Sequence, residues 1–186
     1  MLDNIMYPNA LCAVALEDYL WFMNHVANAL MKMRLSDGVI TEWYQIEPYK
    51  LLASTLFQDM IHYKDWLILI SDVCGKQIVY FNLRTKEQEC LLIPDDWFIT
   101  QQIVLNNRML LFSRVPTDQM KIAELDIESH ELQRNEELEQ LINSMIPDDI
   151  ERNNHFINIT YGSDRLWMLI ADTKYLLEID LKNCNG

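Results

Sequence analysis

Tyr19-Leu20-Trp21-Phe22, followed a few residues later by the apolar stretch Leu30 to Leu35, decides the fold, because the chain repeats this pair of runs three more times. The later copies are Trp66-Leu67-Ile68-Leu69 with Ile78 to Leu83, Met109-Leu110-Leu111-Phe112 with Ile122 to Ile127, and Leu166-Trp167-Met168-Leu169 with Leu176 to Leu181. Two sets of anchors agree on the spacing: Leu20, Leu67, Leu110 and Trp167 in the first runs, and Leu35, Leu83, Ile127 and Leu181 in the second. The period is roughly 45 residues, which marks an array of one supersecondary unit. Both sets lengthen at the third interval, where the acidic segment Glu136 to Glu151 is inserted.

Each unit reads as antiparallel strands. A turn cluster precedes each first run: Glu17-Asp18, Lys64-Asp65, Asn106-Asn107 and Gly162-Ser163-Asp164. Such residues tolerate the backbone conformations that join two strands tightly. Upstream of each lies another β-rich stretch, at Leu11 to Leu16, Met60 to Tyr63, Ile99 to Leu105 and Phe156 to Tyr161. After the first three second runs comes a more polar strand, at Val39 to Ile46, Glu87 to Ile93 and Glu131 to Asn135. Four strands in about 45 residues is the size of a propeller blade.

The expectation is a single all-β propeller domain over residues 1–186, built of about four four-stranded antiparallel blades near 9–47, 55–94, 97–135 and 154–186. The last blade is incomplete, and a short helix is inserted at 136–146. Middle strands are nearly continuously apolar and outer ones alternate, as stacked sheets require. Trp21, Trp66 and Trp167 are expected between blades.

Leu20-Trp21-Phe22 with Leu30 to Gly38, and Leu166-Trp167 with Leu176-Leu177-Glu178-Ile179-Asp180-Leu181, carry a resemblance to loosely defined, kelch-like propeller repeats. In those repeats a Leu-Trp-Phe strand and a Leu-x-x-(Ile/Met)-(Asp/Arg)-Leu-x-x-Gly strand alternate. The kelch Gly-Gly pair and the Trp-Asp and Gly-His signatures of WD40 repeats are missing. The resemblance implies a fold and a binding role. A reaction does not follow from it.

The chain of 186 residues carries 15 basic and 28 acidic side chains, a net charge of −13. Binding to a phosphate backbone needs Lys and Arg, so nucleic acid and anionic membrane surfaces are not expected partners. Half the residues are hydrophobic, yet no stretch has the length of a membrane helix. Met1-Leu2-Asp3-Asn4 lacks the basic start of a secretory signal. Cys12, Cys74, Cys90 and Cys184 are too scattered for a metal-type pair, and Cys12 and Cys90 fall in expected strands. Reduced thiols in a cytoplasmic protein are the expectation, with no metal and no cofactor.

The final unit stops before an outer strand, which leaves a bare edge open to pairing with another chain. Leu2 to Tyr7 is a candidate for the missing strand, in the same chain or in a second copy. A homodimer is the expected assembly. In the insertion, Asn135 can cap a helix, Glu136 and Glu137 suit its first turn, and Pro147 follows its end. Leu138, Leu141, Ile142 and Met145 recur at helical spacing, so one face is apolar and should rest on the blades or on a partner.

Propeller ligands bind at the loops of one face. Here those are the loops between second and third strands and the crossovers between units. The first set offers Asn24, His25, Asn28, Asp72, Arg114 and Asp172 as candidate ligand- or partner-binding residues. Asn24, Ser71, Arg114 and Ala171 are taken as equivalent, and so are His25, Asp72 and Asp172. Ile93-Pro94-Asp95-Asp96 and Ile146-Pro147-Asp148-Asp149 echo each other at the crossovers, but they lack the alternating acids of a calcium loop. No Gly-x-Ser-x-Gly, His-Glu-x-x-His or phosphate-binding glycine loop occurs, and the whole chain has four glycines. These residues point to a non-catalytic module that binds a protein or a small polar ligand. A propeller enzyme acting on carbohydrate, with loop carboxylates and His25 as acid and base, is the alternative.

Overall fold

The computed structural model describes residues 12–24, 27–46, 57–71, 76–94, 97–114, 120–147, 157–170 and 175–181. The strands form four antiparallel sheets, each a meander in chain order. The first sheet holds β1 (Ala13–Leu16), β2 (Tyr19–Asn24), β3 (Ala29–Arg34) and β4 (Ile40–Gln45). The second holds β5 (Phe57–Tyr63), β6 (Trp66–Ser71), β7 (Gln77–Asn82) and β8 (Gln88–Leu92). The third holds β9 (Phe98–Leu105), β10 (Arg108–Arg114), β11 (Met120–Asp126) and β12 (Leu132–Arg134), and helix α1 (Glu136–Met145) follows it. The fourth has, among the described residues, β13 (Ile157–Gly162), β14 (Arg165–Ile170) and β15 (Leu176–Asp180). Two compact units divide the chain, Met1–Asp95 with the first two sheets and Asp96–Gly186 with the others.

Turn chemistry sets the repeat. Glu17, Lys64, Asn106, Ser163 and Asp164 take positive φ in the two-residue turns before each second strand. One main-chain hydrogen bond then recurs in all four sheets. The amides of Leu35, Leu83, Ile127 and Leu181 donate to the carbonyls of Asp18, Asp65, Asn107 and Asp164, at 2.9, 2.7, 2.9 and 3.0 Å. The anchors at the ends of the third strands are therefore true equivalents.

The first-run anchors are not. Hairpin register makes Tyr19, Trp66, Arg108 and Arg165 the first residues of their strands. Leu20 and Leu67 thus correspond to Met109 and Leu166, one residue before the anchors Leu110 and Trp167. Arg108 and Arg165 are charged, so counting apolar runs starts one position late. Trp21 corresponds to Ile68, Leu110 and Trp167, and Trp66 occupies a different position.

In the first unit, Trp21, Met23 and Leu30 of the first sheet meet Leu67, Leu69, Val79 and Phe81 of the second. The Trp21 ring lies 6.0 Å from Phe81 and 6.3 Å from Tyr44, which lies 4.9 Å from Phe81. Trp21 therefore packs between sheets as expected. Trp66 instead stands edge-on to Tyr80 of its own sheet, at 6.0 Å. Half-buried Trp167 lies over Gly162, where an added Cβ would sit 3.5 Å from its ring. In the second unit Leu110, Phe112 and Ile122 meet Leu166, Met168, Leu177 and Ile179, with Leu138 and Ile142 of α1 in the same core.

The helix completes an edge. β12 pairs only with Ala123, Glu124 and Leu125, so it leaves the start of β11 uncovered. There the Ile122 amide donates to Glu139 Oε1 at 2.8 Å, and Asn143 Nδ2 donates to the Met120 carbonyl at 3.3 Å. Asn135 caps the helix by accepting from the Leu138 amide at 3.0 Å. The expected apolar face is corrected in one respect. Leu141 is exposed, while Glu139, 5% exposed, is buried because the open strand needs an acceptor. Arg134 neutralises it, donating from Nη2 at 2.7 Å and from Nε at 3.0 Å.

β15 has no fourth strand beside it among the described residues. The candidate strand Leu2 to Tyr7 lies outside the described residues, as do Asp95, Asp96, Asp148 and Asp149. Cys12 comes just before β1 and is buried, a correction to its expected place in a strand, whereas Cys90 is exposed on β8. No helix among the described residues is long and apolar enough to cross a membrane.

Candidate functional site

The loops between second and third strands can be built from their first and last residues. In the first sheet Asn24 ends β2, and its Oδ1 accepts from the Ala27 amide at 3.0 Å. Asn28 has φ 47°, a conformation Asn tolerates, and its Nδ2 donates to the Ile46 carbonyl. The Ile46 amide returns a bond to the Asn28 carbonyl at 2.9 Å. Gln45 Nε2 adds bonds to the Ala27 and Asn28 carbonyls, at 3.2 and 3.0 Å. The turn is thus stitched to the end of β4 by the side chains of Asn28 and Gln45.

The second sheet repeats the device. Ser71 Oγ accepts from the Gln77 amide at 2.8 Å, Lys76 has φ 46°, and the Ile93 amide donates to the Lys76 carbonyl at 2.9 Å. Lys76 is thus the counterpart of Asn28, and Ser71 that of Asn24. In the third sheet, register makes buried Ser113 the equivalent of Ser71, one residue before Arg114. Counting strand positions from the turn at Asn106-Asn107 would have found it.

Of the six candidate residues, the structure brings Asn24 and Asn28 together in one turn. Arg114 is at the same end of its own sheet, paired through its backbone with Met120. His25, Asp72 and Asp172 lie outside the described residues. Asn24 and the Nδ2 of Asn28 are already engaged with their own backbone, which suits a rigid rim better than proton transfer.

Charged and aromatic groups gather at a place that the apolar pattern does not reveal. One diagonal cross-strand pair recurs in every sheet, joining the first residue of the second strand to the third strand. It is Tyr19 under Lys32 at 4.2 Å, Trp66 against Tyr80 at 6.0 Å, Arg108 with Glu124 at 2.9 Å, and Arg165 with Glu178. In the first unit this pair grows into a cluster. Lys32 and Lys86 both pair with Glu42, at 2.8 and 3.5 Å, and lie over the Trp21 ring at 5.4 Å each. The Lys32 hydrogen bond, then that of the Tyr44 hydroxyl, hold the Glu42 carboxyl down at about 2. Burial, then Glu42, push the Tyr44 phenol up to about 12. The cluster ties the rims of two sheets together.

The second unit has a cleft of about 130 Å³ lined by Asn106, Arg108, Glu124, Tyr161, Asp164 and Leu181. A wider one of about 420 Å³ is lined by carboxylates that include Glu124, Asp126, Glu131 and Glu136. Asp126 is a turn acceptor there. The amides of Ser129 and Glu128 hold its carboxyl below the usual range, which makes it a poor proton donor. His62 donates Nε2–H to the Lys64 carbonyl at 2.6 Å.

No protein-family profile matches the chain, and no curated protein matches it in sequence. Solved structures match its fold. The computationally designed Ika4 protein superposes with a TM-score of 0.55 at 8% identity, over 94% of this chain and 92% of its own. The β-propeller domain of Cps50 (Swd1) from Myceliophteria thermophila gives 0.60 at 13% identity, over 96% of this chain and 54% of its own. Quinohemoprotein alcohol dehydrogenase ADHIIG from Pseudomonas putida HK5 gives 0.59 at 8% identity, over 88% and 29%. The chain spans about half or less of the length of these two natural proteins. Likeness at such identity is a likeness of fold and does not single out the kelch type. Four antiparallel sheets, the last with three strands among the described residues, are β-propeller blades.

Proposed function

We propose that the chain is a non-catalytic β-propeller interaction module, which takes a protein or a small polar ligand through the loops on one face and self-associates through its incomplete last blade. The observation that carries this reading is the use of polar side chains at the described rim. Asn24, Asn28 and Ser71 close the chain's own turns, so the rim is a stiff frame that presents the loops between. Asn24, His25, Asn28, Asp72, Arg114 and Asp172 are the residues it would present. The edge of β15, beside which no fourth strand lies among the described residues, favours association, because an open strand edge seeks a partner. A cytoplasmic location belongs to the same reading, supported by free thiols at Cys12 and at exposed Cys90. The fold itself does not choose a function, since its likenesses include a protein named as a dehydrogenase and one named only as a propeller domain.

The test uses the wild type and a His25→Ala, Asp72→Ala double variant on glycan and peptide arrays, together with chromogenic glycosides. The expected result is an array signal that the double variant loses, with no glycoside hydrolysis by either protein. Hydrolysis by the wild type that the double variant lacks would establish the carbohydrate enzyme instead.

A further inference from the structure

We infer that two copies of this chain join head to tail, with the outer face of the fourth sheet in one copy packed on the outer face of the first sheet in the other. This rests on the self-association read above and names the surfaces that carry it.

Both units obey one rule of faces. Each second strand is counted from its first residue. In the first unit odd positions of β2, Trp21 and Met23, pack on even positions of β6, Leu67 and Leu69. In the second unit odd positions of β10, Leu110 and Phe112, pack on even positions of β14, Leu166 and Met168. The odd face of the fourth sheet carries Arg165, Trp167 and Leu169 on β14, and Leu176, Glu178 and Asp180 on β15. By the same rule its occupant is an even face. The first sheet has one: Leu20 and Phe22 on β2, Met31 and Met33 on β3, and Trp43 on β4. Each face has open apolar positions, Leu169 43% and Leu176 62% exposed on the one and Trp43 63% on the other, while Phe22 is already buried.

Charge supports a second copy as the occupant. The even face of the first sheet carries no charged residue, in a chain whose net charge is −13. On the fourth sheet Arg165 is held by Glu178 and lies opposite Asp180, so the charges gather toward one end of the face and Trp167, Leu169 and Leu176 form the rest. Two such faces meet through their apolar parts with Arg165, Glu178 and Asp180 left toward the rim, which avoids burying a charge, the costly event at an interface. Size is sufficient as well. Three strands of ordinary length make a face of about 17 by 14 Å. A two-fold dimer makes the contact twice, which buries about 1,000 Å² in all, the threshold for a specific interface.

The experiment measures mass by light scattering after gel filtration over a hundredfold range of concentration. It compares the wild type with a fourth-sheet variant, Leu169→Lys with Leu176→Lys, and a first-sheet variant, Met31→Glu with Trp43→Glu. The expected result is a wild-type dimer and two monomeric variants, each associating at least tenfold more weakly. Mixed one to one, the variants regain a dimer, because the pair keeps one untouched contact and makes one Lys–Glu contact. Circular dichroism checks folding, and Leu176→Lys alone, at a position already open, replaces any variant that fails. Dimers that persist in both variants would overturn these surfaces and leave self-association standing. Folded monomeric variants that do not recover on mixing would overturn the head-to-tail order. A wild-type monomer at every concentration would overturn self-association itself.

Discussion

Glu139 on α1 accepts the main-chain amide of Ile122 on β11 at 2.8 Å, and so supplies to that strand the acceptor that an outer strand provides elsewhere in the array. A carboxylate is the acceptor because Arg134 stands beside it and cancels its charge. Replacing Glu139 with alanine leaves a buried amide unpaired, at about 1–3 kcal/mol. Arg134, half exposed, can turn to water, so the penalty of a stranded buried charge is largely avoided. The expected loss is about 2 kcal/mol for Glu139→Ala and about 1 kcal/mol for Glu139→Gln, which keeps an acceptor. Urea unfolding with an unchanged m-value checks it. A loss within 0.5 kcal/mol for alanine, roughly the scatter of ordinary surface changes, would mean that the helix only lies on the strand.

Glu42 makes the protein acid-sensitive. Its carboxyl is lowered from 4.5 to about 2, so the stability it contributes is fully present above 4.5 and is lost as pH falls toward 2. The group is one-third exposed, so solvent screening keeps the effect near 1 kcal/mol. The difference in urea midpoint between wild type and Glu42→Gln should be largest near neutrality and vanish by about pH 2. A difference independent of pH would assign the effect to packing.

Alkaline behaviour follows from Tyr44, raised from 10 to about 12. Above 10 the unfolded phenol ionises while the folded one holds its proton, so stability falls between 10 and 12. Tyr44→Phe should flatten that slope, read as the change in melting temperature across the window.

Thiol reactivity should separate the two described cysteines. Burial first, then the charge of Asp59, push Cys12 up to about 12, whereas Cys90 is exposed and less strongly raised. Since the thiolate is the nucleophile, iodoacetamide at pH 8 should label Cys90 well before Cys12 in the folded protein. Peptide mass mapping gives both rates, and denaturation should bring them together. Equal rates in the folded state would contradict the burial of Cys12.

Gly38 sits at φ 71° with nothing within 4 Å of an added Cβ. Alanine there meets strain without a clash, so Gly38→Ala should cost about 1 kcal/mol. A loss several times larger in thermal unfolding would reveal a contact at this turn beyond the backbone conformation.

Much of the fold was legible because its signals are local. Glu17-Asp18, Lys64-Asp65 and Asn106-Asn107 mark hairpin turns wherever they fall, and Asn135 with Glu136 and Glu137 mark a helix start. The candidate site was less legible. Asn24 and Asn28 were found as loop residues, but the hydrogen bond of Asn28 to Ile46 depends on where β4 ends. Ser113 was missed because charged Arg108 hid the true first position of its strand. The Lys32, Glu42 and Lys86 cluster joins the β3–β4 hairpin to a turn far along the chain and leaves no periodic trace.

Order along the chain by itself determined the meander: short apolar runs, tight turns and one capped helix need only neighbours a few residues away. Tertiary structure decided which side of a sheet faces its neighbour within each unit, why Trp21 is buried between sheets while Trp43 is open, and why a glutamate lies under a helix. The reason is register. Side chains alternate across a strand, so one residue of slip exchanges the faces, and only the pairing of distant strands sets it.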